Sequence, residues 1–209
     1  KLIAALDEGD LALVSDAGTP GINDPGFALV RAALDAGHRI SPIPGPSAPV
    51  AALTASGLPS EAFLYLGYLP RKSAQRQAVL DEVASQPYSL IFLETPHRLV
   101  SALEDIRAVL GERQICVARE MTKLYEEFIR GTTGEVLQHF QAQTPRGEIT
   151  LIIAGASTES ETWAENKLRD EIVLALNEDE KPSKIARRLT AISGWARREI
   201  YNLITEIQE

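Results

Sequence analysis

Several features that the sequence lacks limit the kind of protein it can encode. Cys116 is the one cysteine among 209 residues, so no disulfide can form within the chain. No run approaches the roughly 20 apolar residues of a membrane span, and no charged, apolar and small-residue series typical of a signal peptide opens the chain. The sequence therefore predicts a cytoplasmic protein with no membrane segment, in which Cys116 is a buried structural thiol.

Ligand motifs of three common kinds are also missing. No set of His, Cys, Asp and Glu has metal-ligand spacing, so we predict no metal site. Neither GxGxxG nor GxxxxGK[ST] occurs, which leaves the usual dinucleotide and P-loop functions without support. The net charge of -8 excludes a uniformly basic nucleic-acid binder but leaves a local basic patch open.

What the sequence does contain is an alternation of apolar runs and amphipathic segments, which predicts an α/β fold. The predicted strands are 11–15, 39–43, 63–67, 89–95, 114–120, 126–132 and 146–155. The predicted helices between them are 27–37, 48–56, 71–85, 98–111 and 134–141. Turn residues cluster at Gly57, Pro59 and Ser60, so we place a domain boundary there, between an α/β domain over 1–60 and a second over 61–157.

The remaining segment, 158–209, has no apolar strands and is predicted to be an all-helical tail. Its last two helices meet at Ser193-Gly194 and resemble a helix-turn-helix. Ile185, Ala186 and Leu189 are spaced to turn inward. The candidate phosphate-binding residues of this tail are Lys184, Arg187, Arg188, Arg197 and Arg198. Alternatively, these charges only solvate a helical cap.

Three loops follow predicted strands, and the carboxyl ends of strands are where ligands bind in open α/β sheets. The first is SDAGTPGINDPG over 15–26. The second is PGPSA, where Gly45 permits close backbone approach and Ser47 begins a helix. The third brings Arg119, Glu120 and Lys123 together at a strand end. Taken singly, each could also be a plain turn or a surface ion pair.

Taken together, these loops with ETPHR, the GT after ARE-MTK, and RGEITLII resemble the tetrapyrrole methylase superfamily. Within it they are most similar to the branch that methylates a cytidine ribose of 16S ribosomal RNA. The resemblance implies two α/β domains with S-adenosylmethionine in the cleft between them, a homodimer, and the small ribosomal subunit as partner. The basic tail favours this substrate over a tetrapyrrole. A nucleic-acid-binding regulator with a degenerate enzyme domain is a further alternative.

The resemblance also assigns site residues. Thr19 stands where most relatives carry an aspartate, which makes Asp16 the candidate for that acid. Glu120 is the candidate base for the ribose hydroxyl, with Arg119 and Lys123 orienting phosphate or ribose. The candidate cofactor-binding residues are Asp16, Gly18, Thr19, Ile22, Gly45, Ser47, Ala48, Leu93, Ala118, Gly147 and Glu148.

One departure from the family is large. Its members open with a strand and a proline-rich cofactor loop, followed by an Asp-Thr-Arg segment, and this sequence begins instead inside an amphipathic segment, KLIAALDEG. We therefore expect the first α/β domain to be truncated, the cofactor and RNA sites to be incomplete, and the chain to be inactive alone.

Overall fold

The apolar runs between residues 63 and 153 form one mixed sheet. The structure is a computed structural model and describes residues 1–143, 145–157, 163–178 and 180–208. The strands are β1 (Phe63–Tyr68), β2 (Ser89–Glu94), β3 (Gln114–Arg119), β4 (Glu127–Thr132) and β5 (Ile149–Ile153), in the order β1-β2-β5-β3-β4. The sequence predicted all five.

The pairing directions decide which strand ends meet. β1 pairs parallel with β2, whereas β2 with β5, β5 with β3, and β3 with β4 all pair antiparallel. The carboxyl ends of β1, β2 and β3 therefore lie at one edge of the sheet, together with the amino ends of β4 and β5. We call this edge the carboxyl edge.

Helices cover both faces of the sheet. Those of the first 156 residues are α1 (Leu2–Leu6), α2 (Phe27–Asp35), α3 (Ala48–Ser56), α4 (Ser73–Glu82), α5 (Leu99–Leu110) and α6 (Thr133–Ala142), with a 3-10 turn at Pro96–Arg98. Because side chains alternate along a strand, Leu90 and Phe92 of β2 pack toward α4, α5 and α6, and Ile91 packs toward α3. Cys116 lies fully buried on the α3 side, which confirms the structural thiol.

Helix α3 is held against the sheet by two buried apolar side chains and by one arginine. Ala52 and Leu53 pack against buried side chains of β2, β3 and β5. The Arg130 guanidinium of β4 donates to the carbonyl oxygens of Ala55 and of Ser56, the latter at 3.1 Å. These are carbonyls that a helix end leaves without partners, and Gly57 then ends the helix with φ of +80°. The loop before α3 is thereby fixed at the carboxyl edge.

The predicted strands 11–15 and 39–43 are wrong, because neither pairs with another strand in the structure. Both segments are irregular, and their apolar side chains stay exposed, Val14 by 79% and Ile43 by 84%. A strand exists through hydrogen bonds to a neighbour, which an apolar run cannot supply by itself.

The chain folds into two compact units, Lys1–Ala156 and Ser157–Glu209. The division near residue 60, which lies inside the first unit, stays a prediction. Among the described helices of either unit, none is long and apolar enough to cross a membrane.

The second unit is a small bundle of α7 (Glu165–Asn177), α8 (Pro182–Ser193) and α9 (Arg197–Gln208). Its buried core includes Ile185, Ala186 and Leu189, which confirms their predicted inward direction. Gly194, with φ of +72°, ends α8, and the Trp195 indole Nε1 donates to the Trp163 carbonyl oxygen at 2.7 Å. The prediction for residues 158–162 lies outside the described part of the chain.

Candidate active site at the carboxyl edge

A cleft of about 910 Å³ opens at the carboxyl edge, within the first unit. One wall is made by the loops before α2 and α3, and the other by the ends of β1, β2 and β3 and the start of β5. Predicted site residues that line the cleft are Asp16, Gly18, Thr19, Ile22, Ser47, Ala48, Leu93, Glu120, Lys123, Gly147 and Glu148. The fold thus gathers residues from three separate loops around one cavity.

The two glycine-proline loops are joined by a hydrogen bond. Thr19 Oγ1 donates to the Pro46 carbonyl oxygen at 3.3 Å. Gly18 beside it has φ of +74°, a left-handed conformation that glycine adopts without steric cost. The Ser15 hydroxyl donates to the Gly18 carbonyl oxygen at 3.3 Å and closes the turn. The first wall of the cleft is therefore formed by two loops whose backbone conformations are fixed by hydrogen bonds.

A second link, which the sequence did not predict, joins the first loop to β1. The Tyr65 hydroxyl hydrogen-bonds to Asn23 Oδ1 across the cleft. Burial, followed by the charge of Tyr68, raises the pKa of Tyr65. Asn23 has φ of +58°, and a Cβ on Gly67 would lie 2.9 Å from Asn23 Nδ2. The Asn-Asp-Pro turn was the available signal, because Asn tolerates this conformation better than most residues.

Glu120, Lys123 and Glu148 form one charged cluster on the opposite wall. Lys123 Nζ lies 3.1 Å from Glu120 Oε1 and 3.1 Å from Glu148 Oε2. The Glu148 backbone N–H also donates to Glu120 Oε1 at 3.1 Å. Hydrogen bonds from Lys123 and from that N–H hold the pKa of Glu120 below its usual range, and the same contacts raise the pKa of Lys123. Glu120 is therefore ionised at neutral pH.

A buried carboxylate, also missed from the sequence, ends β2. The Glu94 side chain is fully buried, and its Oε2 accepts from Arg98 Nη2 at 2.8 Å. Its Oε1 accepts from the Thr95 backbone N–H at 2.6 Å. Glu94 and Thr95 both line the cleft. The ETPHR motif marked this segment, but the orientation of Glu94 depends on the Arg98 contact.

Three predicted site residues do not line the cleft. Arg119 pairs with Glu127, and Ala118 is fully buried against α3. Gly45 also lies outside the lining, and its φ is not positive. A Cβ added there would meet no protein atom within 4 Å, so neither the backbone conformation nor protein packing requires a glycine here, and the close approach of a ligand stays a prediction. Pro44 and Pro46, on either side of Gly45, restrict the backbone of this turn, and no other described segment of the protein packs against Gly45.

The charge of the lining favours a cationic ligand. Five carboxylates stand against the single ammonium of Lys123 among the described lining residues, and they are Asp16, Asp24, Glu94, Glu120 and Glu148. A cleft with an excess of one charge concentrates ligands of the opposite sign. Apolar side chains of Ile22, Leu93 and Met121 lie in the same lining. This set of groups fits S-adenosylmethionine, which joins a flat adenine to a positively charged sulfur.

A mixed sheet with helices on both faces and an acidic cleft at its carboxyl edge defines an α/β protein whose cleft lies where such folds bind small ligands. The family model of the Tetrapyrrole (Corrin/Porphyrin) Methylases matches residues 1–137. The chain belongs to this family.

Individual relatives extend the match beyond the family model. The protein named Ribosomal RNA small subunit methyltransferase I from Mesorhizobium japonicum is 43% identical over 212 residues, which cover 100% of this chain and 71% of the relative. The protein of the same name from Escherichia coli O157:H7 is 45% identical over 212 residues, covering 99% and 73%. The crystal structure of the methyltransferase CobJ shares the fold, with a TM-score of 0.55 at 22% identity over 75% of this chain and 69% of that chain.

Proposed function

We propose that this protein is an S-adenosylmethionine-dependent methyltransferase that methylates the 2'-hydroxyl of a cytidine ribose in 16S ribosomal RNA. The observation that carries the proposal is the extent of the similarity. Two relatives named as small-subunit ribosomal RNA methyltransferases match 100% and 99% of the chain. That span includes the cleft loops and also the helical tail with its basic stretch over 181–198, which lies beyond the end of the family model at residue 137.

The residues of the first wall suit the cofactor. S-adenosylmethionine, when bound, supplies a methyl group on a positively charged sulfur. Asp16 contributes negative charge to that wall, and Ile22 contributes an apolar surface for the adenine. The Ser47 hydroxyl caps no backbone N–H of α3, so it is free to bind a ligand. Gly147 and Glu148 close the opposite side.

Glu120 is the proposed base for the ribose hydroxyl. Its lowered pKa keeps it ionised and able to accept a proton, but it also makes Glu120 a weak base. Most of the rate enhancement must then come from holding the hydroxyl in line with the methyl group. Lys123 offsets the charges of Glu120 and Glu148, and Arg119 holds Glu127 at the start of β4.

The tail offers exposed cations for RNA phosphates. Arg187, Arg197 and Arg198 are exposed and form no ion pair with any described residue. Arg188 and Lys184 face Glu180, with Arg188 Nη2 at 2.9 Å and Lys184 Nζ at 3.9 Å from its carboxylate. The first three are therefore the stronger candidates for phosphate contacts.

The proposal also includes the domain organisation, the cellular location and the oligomeric state of the protein. Residues 1–60 are the remainder of a first α/β domain, which the unpaired apolar segments 11–15 and 39–43 support. The cytoplasmic location and the homodimer follow from the sequence and from the family resemblance, respectively.

Methylation of a tetrapyrrole is the second candidate, favoured by the description of the matching family model. One experiment separates the candidates. The complete gene product is incubated with labelled S-adenosylmethionine and either small ribosomal subunits from cells lacking the gene or a tetrapyrrole, and the modified ribose is mapped by mass spectrometry. We expect label on a cytidine ribose of 16S RNA. Label on the tetrapyrrole alone would favour the second candidate, and no cofactor binding would favour a regulator with a degenerate enzyme domain.

A further inference from the structure

Three exposed cations at the carboxyl edge form no ion pair within the described part of the chain. Arg71 and Lys72 follow β1, and Arg146 precedes β5. None of them forms an ion pair with a described residue, in contrast to Lys123 and Arg119 of the same edge. We call Arg71, Lys72 and Arg146 the basic rim.

Two tyrosine rings are exposed at the same edge. Tyr68 ends β1, is 52% exposed, and also lines the cleft. Tyr125 lies in the turn between β3 and β4 and is 70% exposed. Exposed aromatic rings beside cations are the usual means by which proteins hold single-stranded nucleic acid, because each base can stack on a ring while its phosphate meets a cation.

The segments that carry these side chains are fixed in place. The guanidinium of Arg98 donates to the Leu69 carbonyl oxygen, and Arg76 Nη1 donates to the Pro70 carbonyl oxygen at 3.3 Å. The turn before β4 is closed by the Thr122 backbone N–H, which donates to Glu126 Oε2 at 2.7 Å. Side chains presented from ordered backbone lose less entropy when they bind.

The charge distribution separates the rim from the cleft and from the opposite edge of the sheet. The cleft has an excess of carboxylates, so it repels phosphates even though it suits a cationic cofactor. The opposite edge has exposed acids beside three strands, at Glu61, Glu112 and Glu135. An RNA strand whose ribose enters the cleft must therefore place its phosphates outside it, and the basic rim is where this edge carries unpaired positive charge.

We propose that the basic rim, together with Tyr68 and Tyr125, is a docking surface for single-stranded RNA beside the cleft. The inference rests on the proposed function, and it assigns to the first unit a substrate contact separate from the tail. The strand is single because the exposed rings of Tyr68 and Tyr125 can stack only on bases that are not already paired in a helix.

Salt titration of RNA binding tests the cations. The probe is single-stranded oligocytidylate, measured with the complete chain, with the double variant R71A/K72A, and with K1A/R39A as the matched control. Lys1 and Arg39 are exposed, lie outside the cleft lining and, like Arg71 and Lys72, form no ion pair with a described residue. Each lost phosphate contact flattens the slope of log affinity against log salt by about 0.7. We expect R71A/K72A to flatten it by about 1.4 and the control to leave it unchanged.

Substitutions at Tyr125 test the stacking. Tyr125→Phe keeps the ring and should bind oligocytidylate like the unsubstituted protein. Tyr125→Leu removes the ring and should weaken binding by about 5- to 150-fold. Circular dichroism and thermal melting of each variant establish that it remains folded, as expected for exposed side chains.

The outcomes distinguish this inference from the proposed function. A slope for R71A/K72A equal to that of the control, with Tyr125→Leu binding normally, overturns the docking surface. If small-subunit RNA is still methylated in that case, the proposed function stands and RNA docks elsewhere. If the unsubstituted protein methylates no RNA, the proposed function fails whatever the rim binds.

Discussion

The absence of a side chain on Gly147 makes room for the carboxylate of Glu120. A Cβ built on Gly147 would overlap the Glu120 side chain, and Gly147 has φ of +78°. The two segments are also joined through the backbone, because the Glu120 N–H donates to the Glu148 carbonyl oxygen at 3.0 Å. The position of the proposed base therefore depends on a glycine in the segment that precedes β5.

Gly147→Ala should lower both stability and turnover. The left-handed conformation costs about 1–2 kcal/mol once a Cβ is present, and the displaced Glu120 carboxylate loses its contact with Lys123. The free energy of unfolding from urea titration and the rate of methyl transfer measure the two effects. Gly9→Ala is the control, because Gly9 lies outside the cleft, has no positive φ, and its Cβ would meet nothing within 4 Å. If Gly147→Ala changes stability and turnover as little as Gly9→Ala does, the proposed dependence of Glu120 on Gly147 is wrong.

Glu120→Gln should lower turnover by about 10²-fold, the lower end of the usual contribution of a general base, because the lowered pKa makes Glu120 a weak base. Affinity for S-adenosylmethionine, measured by calorimetry, should change little, because the lost group acts on the acceptor. If turnover is unchanged, Glu120 is not the base and Asp16 becomes the next candidate.

The pH dependence of Glu120 has a defined direction. Its pKa in the folded protein is lowered by Lys123 and by the Glu148 N–H. The ionised Glu120 carboxylate stabilises the fold through Lys123 and can accept a proton. Both effects are fully present above the ordinary glutamate pKa, and both are lost as pH falls through the lowered pKa, because the carboxylate then becomes protonated. The rate profile should have its acid limb below the ordinary glutamate range. An acid limb near neutrality would point to another group.

Arg76→Ala should destabilise the first unit by about 3 kcal/mol, because it leaves Asp105 buried without its charged partner. The Arg76 guanidinium lies 2.5 Å from Asp105 Oδ2, with the two side chains only 4% and 10% exposed. Arg31→Ala is the control, since its pair with Asp35 is 68% and 65% exposed and contributes less than about 1 kcal/mol. Urea titration gives the free energy of unfolding of each variant. If Arg76→Ala and Arg31→Ala lower it equally, burial does not strengthen the Arg76–Asp105 pair.

The same pair makes stability depend on pH. Burial raises the pKa of Asp105, but hydrogen bonds from Gln77, Ser73 and Arg76 outweigh it, so the pKa lies below its usual range. The stabilisation is present above the ordinary aspartate pKa and is lost as pH falls through the lowered one. The unsubstituted protein should therefore lose more stability on acidification than Arg76→Ala does.

The tail should bind RNA through the arginines that lack ion pairs. Replacing Arg187, Arg197 and Arg198 with alanine should flatten the salt dependence of RNA affinity by about 2, at about 0.7 per phosphate. Glu180→Gln should have the opposite effect, because it releases Arg188 and Lys184. Filter binding at several salt concentrations measures both. Unchanged slopes in both variants would show that these charges only solvate the helices.

The sequence by itself determined the five strands of the sheet and the ends of several helices. The apolar runs over 63–153 predicted five strands correctly, because burial on the faces of a sheet requires such runs wherever the strand pairs. Helix ends were equally local, as at Gly57 and Gly111, because a glycine adopts the conformation that follows a helix whatever surrounds it. The motifs of the three loops also located the cleft.

Tertiary structure alone decided which side chains meet. Segments 11–15 and 39–43 have the composition of strands but no partner to pair with. Arg119 is drawn to Glu127 on the neighbouring strand and away from the cleft, while Asn23 reaches Tyr65, 42 residues further along the chain. Such contacts depend on strand order and register, which bring distant residues within hydrogen-bonding distance and leave no mark in the local pattern of the sequence.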